Sequence, residues 1–92
     1  MTRDQILTAA FDEAIQTGFY TMTRDNIAER AGVATGSVHH HFKDMANLRH
    51  AVMRKAIQAE QLCIIAAGLA KGDEIARSAP EWLKRRALET LV

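Results

Sequence analysis

Ile27-Ala28-Glu29-Arg30-Ala31-Gly32-Val33-Ala34-Thr35-Gly36-Ser37-Val38-His39-His40-His41-Phe42 reads as two short helices meeting at a tight corner. Ile27, Ala28 and Ala31 share one helical face, with small side chains where a second helix can come close. Gly32 ends that helix, because glycine takes the left-handed backbone conformation without a Cβ penalty. Val38 and Phe42, four residues apart, give the following segment its own apolar face. The pattern is a helix-turn-helix, whose second helix is the one that enters a DNA major groove.

Outward from this stretch, the spacing predicts a first helix from about Arg3 to Thr17, opened by the capping-box pattern Thr2-Arg3-Asp4-Gln5. Ile6, Leu7, Ala10, Phe11, Ala14 and Ile15 form its apolar side, leaving Arg3, Asp4, Asp12, Glu13 and Gln16 to solvent. Gly18 stops it, Phe19 and Met22 plug the core, and Thr23 caps the second helix, from about Arg24 to Ala31. The third runs from about Thr35 or Gly36 to His41. Asp44 caps a long fourth helix, expected to continue from about Met45 to Ala67. Leu62-Cys63-Ile64-Ile65-Ala66-Ala67 is apolar around most of its circumference, which implies burial on several sides and hence a partner surface. Ser78-Ala79-Pro80-Glu81 repeats the capping-box pattern before a last helix from about Ala79 to Leu91.

The fold class expected is all-α. Residues 1–92 form a single domain, with a helix-turn-helix head over 3–53 and a helical dimerisation tail over 54–92. With 48% hydrophobic but only 5% aromatic residues and no alternating β-branched run, strands are not expected. No stretch approaches the about 18 consecutive apolar residues of a membrane span, and no basic and apolar leader opens the chain, so a cytoplasmic protein with no membrane partner is expected. Cys63 is the single cysteine, which excludes an intrachain disulfide and a thiolate metal cluster; a buried, inert thiol is expected.

Charge gives no help to a nucleic-acid reading. The chain is +1 overall, and residues 1–50 carry five Lys and Arg against six Asp and Glu, a net −1. Any attraction to phosphate must come from where the charges sit.

Taken together, Ile6-Leu7-Thr8-Ala9-Ala10-Phe11, Gly18-Phe19, Thr23, Ile27 to Val33, Gly36-Ser37-Val38, His41-Phe42 and Leu48 make the first half resemble the N-terminal DNA-binding region of the TetR family of transcriptional regulators. The resemblance covers residues 3 to about 53. It implies a DNA-binding regulator, more often a repressor, acting as a homodimer on a palindromic double-stranded operator. Two positions depart from the family pattern, which usually has tyrosine at His39 and lysine at Met45, both phosphate-contacting places; Lys43 is the available substitute cation. Only about 25 residues follow the fourth helix as read here, so no small-molecule inducer is expected.

The residues assigned to DNA are Thr23 and Arg24 at the start of the second helix, Thr35, Gly36, Ser37, His39 and His40 on the third, and Lys43 after it. Hydroxyls and helix-start amides suit phosphate oxygens, Gly36 lets the backbone approach the duplex, and Thr35 and His40 can reach base edges. The dimer interface is assigned to Leu62, Ile64, Ile65, Leu69, Trp82, Leu83, Leu88 and Leu91. His39-His40-His41 is not read as a metal site, because consecutive helical residues diverge by about 100°. No cofactor is expected and no nucleophile motif or phosphate loop suggests an enzyme. The competing reading is a protein-interaction module that keeps the helix-turn-helix shell and binds another regulator.

Overall fold

The computed structural model describes residues 2–91. Seven helices and no strand occur among them: α1 (Thr2–Thr17), α2 (Arg24–Ala31), α3 (Thr35–His41), α4 (Met45–Ala59), α5 (Leu62–Ala70), α6 (Glu74–Arg77) and α7 (Glu81–Glu89). None is long and apolar enough to cross a membrane. The all-α expectation holds.

The starts of α2 and α4 form as the local signals direct. The Thr23 hydroxyl oxygen accepts from the Asn26 amide at 3.2 Å, and Asp44 accepts from the Asn47 amide at 2.8 Å, so both caps are made. Gly32 closes α2 at φ 72°, with its own amide on Glu29 and the Val33 amide on Ala28. That double bond is the helix-ending motif that glycine favours. Ile6, Ala10, Ala14, Phe19, Met22, Ile27, Ala28, Val38, Phe42, Leu48 and Val52 are buried together, with α1 packed on α2 and α4, and α2 on α3.

The fourth helix departs from expectation. It ends at Ala59, because Glu60 turns left-handed at φ 55° and the Gln61 amide reaches back to the Ala56 carbonyl at 2.8 Å. The motif is the one at Gly32, made here by a residue with a Cβ, at a cost of about 1–2 kcal/mol. The gain is larger. A straight helix would hold Leu62 to Ala67 in water; the bend folds α5 back against α4, α6 and α7, where Ile64, Ile65 and Leu83 are at most 2% exposed. Each such side chain contributes about 1.5–3 kcal/mol on burial. The sequence reading places these three at an interface between copies; in the structure the chain's own helices enclose them. Of the other five residues in that set, Leu62 and Leu69 are half-buried, while Trp82, Leu88 and Leu91 are exposed.

Further corrections lie in the tail. Gly68 sits inside α5, and a Cβ there would lie 2.5 Å from Met53 Cε and 2.8 Å from Ala76 Cβ. It is the point where α4, α5 and α6 crowd together. Asp73 caps the unanticipated α6 through the Ala76 amide at 2.9 Å. The second capping box is not made, because the Ser78 hydroxyl donates to the Ile75 carbonyl and Pro80 stands at the α7 cap. Cys63 is exposed rather than buried, its thiol 3.4 Å from the Gln61 side-chain oxygen.

Candidate nucleic-acid interface

The corner between α2 and α3 is fixed from both sides. On the inner side Val38 and Phe42 anchor α3 at 1% and 4% exposure. On the outer side the Thr35 hydroxyl donates to Asp25 at 3.4 Å, a long bond joining the first turns of the two helices. Behind α2, Arg30 holds the buried Glu13 of α1: Nη2 is 2.9 Å and Nε 3.0 Å from Oε1, and the Thr17 hydroxyl donates to Oε2 at 3.0 Å. Glu13 is 3% exposed, which corrects the expectation that it faces solvent. A carboxylate this buried persists because it is paired and hydrogen-bonded.

What α3 leaves outside is a polar strip. Thr35, Gly36, His39, His40 and His41 are exposed and Ser37 is half-buried. Ala34 brings no side-chain cap to the helix start. The His40 and His41 rings meet edge to face at 5.0 Å. Among the described residues, no group of three or more His, Cys, Asp or Glu is arranged to hold a metal ion. Nothing lies within 4 Å of a Cβ built on Gly36, so the fold itself does not require glycine there. Thr23 is exposed beside Arg24, which is half-buried, and Lys43 is exposed beyond the end of α3. Seven of the eight residues assigned to DNA thus occupy the two helix starts and the outer strip of α3, and Lys43 follows just past its end.

Met45, where a lysine is usual in the family resembled, packs against the core instead. Arg3, Asn47, His50 and Arg54 were absent from the sequence-based set, yet they border one groove with His41 and Lys43. Arg3 lies over the Phe42 ring at 4.8 Å. No local pattern marks them, since the groove joins the start of α1, the α3–α4 turn and two turns of α4.

The protein-family comparison matches residues 6–52 to the model described as bacterial regulatory proteins, tetR family. The HTH-type transcriptional regulator BetI of Klebsiella pneumoniae (strain 342) is 42% identical over 52 residues, which are 56% of this chain and 27% of that protein. The BetI of Escherichia coli (strain K12 / DH10B) is 38% identical over the same share of each. The matched stretch therefore spans about a quarter of the length of these relatives. No solved structure matches. The matched segment begins at Ile6 in α1 and ends at Val52 in α4, so it contains the whole corner described above and about half of the sequence; the chain belongs to the TetR family of bacterial regulatory proteins.

Proposed function

We propose that this chain is a sequence-specific DNA-binding transcriptional regulator, a repressor that occupies a palindromic operator as a homodimer. In this reading α3 enters the major groove, Thr35 and His40 address base edges, Gly36 lets the backbone close on the duplex, and Ser37 and His39 contact phosphate. Thr23, Arg24 and Lys43 hold the flanking backbone. The observation that carries the reading is the outer strip of α3, with an exposed glycine that no intramolecular contact demands. A glycine inside a helix costs about 0.5–1 kcal/mol relative to alanine, so its use there favours close approach by something outside the chain. The matched relatives bear the name HTH-type transcriptional regulator, which agrees with this assignment.

A homodimer belongs to the proposal because one short helix offers few contacts, and a twofold pair sets two such helices about 34–36 Å apart, one turn of DNA. Trp82, Leu88 and Leu91, roughly half exposed on and just beyond α7, are the side chains available for it, with Leu62 and Leu69 beside them. The proposal includes a cytoplasmic location, no catalysis, and no small-molecule inducer for this stretch, since Met53, Ala56, Gly68 and Ala76 fill the space between the tail helices and α4.

The test is binding to the DNA immediately upstream of the chain's own coding sequence, against scrambled duplex at matched salt. Preferential binding, lost in His40→Ala, is the expected result. The net −1 of residues 1–50 favours the other reading, a helix-turn-helix shell that binds another regulator. Equal, weak binding to both duplexes selects that reading.

A further inference from the structure

The head has no surplus of positive charge, yet its charges are sorted. The clefts between α1 and α2 are bordered by Asp4, Asp12, Glu13 and Glu29, with Arg30 the only Lys or Arg among their lining residues. On another side, the groove between the start of α1, the α3–α4 turn and α4 is bordered by Arg3, His41, Lys43, Asn47, His50 and Arg54, with no carboxylate in its lining. Three permanent cations, two imidazoles and an amide converge there. Arg3 stands over the face of Phe42, which restricts its side chain and leaves its guanidinium directed by the ring. Asp44, whose carboxylate accepts from the Asn47 amide at 2.8 Å, stands at the start of α4 outside this lining, and Asp73 and Glu74 border the adjoining hollow with His50 and Arg54 on the tail side.

We propose that this groove seats a backbone phosphodiester of DNA flanking the bases read by α3. The proposal rests on the DNA-binding reading above and adds to it Arg3, Asn47, His50 and Arg54. Arginine forks and an amide are suited to phosphate oxygens, and the groove directly continues the surface of α3 through His41 and Lys43. It offers a way for a head with net −1 to meet a polyanion: four of the six acids in residues 1–50 border the clefts between α1 and α2, while Arg3, Lys43 and Arg54 share the groove beside α3.

The contact is sequence-independent, so its signature is the salt dependence of binding. Each phosphate neutralised on B-DNA contributes about 0.9 to the slope of log affinity against log salt. The full chain and the Arg3→Gln/Arg54→Gln variant are titrated with the upstream duplex and with scrambled duplex over a salt series. Arg85→Gln/Arg86→Gln on α7 serves as a charge-matched control, and thermal melting verifies the fold. The expected result is a slope smaller by about 1 for each protomer bound, on both duplexes, with their affinity ratio unchanged. Arg3→Lys/Arg54→Lys restores the slope and the control leaves it intact. An unchanged slope in a folded Gln variant that still prefers the upstream duplex overturns the groove and leaves the DNA reading standing. A wild-type chain without salt-dependent binding to either duplex overturns both. Inorganic phosphate provides the last arm: His50 ring signals that move with phosphate and not with duplex assign the groove to a free anion and overturn the DNA contact.

Discussion

Arg30 Nη2 lies 2.9 Å from Glu13 Oε1, which couples the buried carboxylate of α1 to α2, the helix that precedes α3. The guanidinium remains 38% exposed while the carboxylate side chain is 4% exposed, so the two partners bear unequal desolvation. Removing the arginine leaves a buried charge with only the Thr17 hydroxyl; Arg30→Met should therefore destabilise the chain by about 1–3 kcal/mol. Glu13→Met with Arg30→Met, which removes both charges, should recover most of that loss. Urea unfolding of the single and double variants checks this, and a double variant no more stable than Arg30→Met contradicts it.

Two glycines in helices should respond oppositely to alanine. Gly68→Ala places a methyl against Met53 and Ala76 and is expected to cost about 1–3 kcal/mol. Gly36→Ala meets nothing and gains helix propensity, so it should stabilise by about 0.5 kcal/mol. Its affinity for the upstream duplex should fall several-fold in the same preparation. A gain in stability without loss of binding removes the argument from Gly36.

The apolar residues of the tail separate into folding and association. Ile64→Asp buries an unpaired charge and should unfold the tail, at about 4 kcal/mol or more. Leu88 is 47% exposed, so Leu88→Glu should leave helicity intact while lowering self-association. Circular dichroism and sedimentation distinguish the two, and a Leu88→Glu chain that sediments as a full dimer removes α7 from the proposed interface.

Tyr20 reports the docking of tail on head. Burial raises its phenol pKa above the ordinary 10.0, the Asp73 carboxylate raises it further, and Arg49 opposes both. Lys71 lies over its ring at 5.6 Å. Because the folded state holds this proton more tightly than the unfolded chain, its contribution to stability is complete below pH about 10 and is lost as pH rises through the folded value. Tyr20 is the single tyrosine, so tyrosinate absorbance reads it directly. Asp73→Asn should lower the midpoint and Arg49→Gln should raise it; midpoints that do not move show that the α5–α6 turn leaves the head in solution.

The head was legible because its instructions are local. Thr23, Gly32 and Asp44 act on backbone groups within four residues, and the spacing of Ile27, Val38 and Phe42 states which faces turn inward. The outer strip of α3 follows from the same spacing. Glu13 was illegible because its partner lies 17 residues away and an acid at the margin of an amphipathic face ordinarily faces water. The bend at Glu60 was illegible because the residue there is not a glycine; the conformation is imposed by what α5 gains on folding back. The role of Gly68 was illegible for the converse reason, since a glycine needed for close packing looks in sequence like one needed for a turn. The cationic groove depends on three separated segments meeting.

The crowding of Met53, Gly68 and Ala76 also bears on what can be exchanged between proteins. The family match ends at Val52, inside α4, while Met53 and Ala56, one residue and one turn further, are fully buried in a core that includes the tail. The inherited unit and the cooperative unit therefore have different boundaries. A chimera that transplants residues 6–52 onto another scaffold inherits half of a hydrophobic core, and its new neighbour has to supply the surface that α5 and α6 provide here.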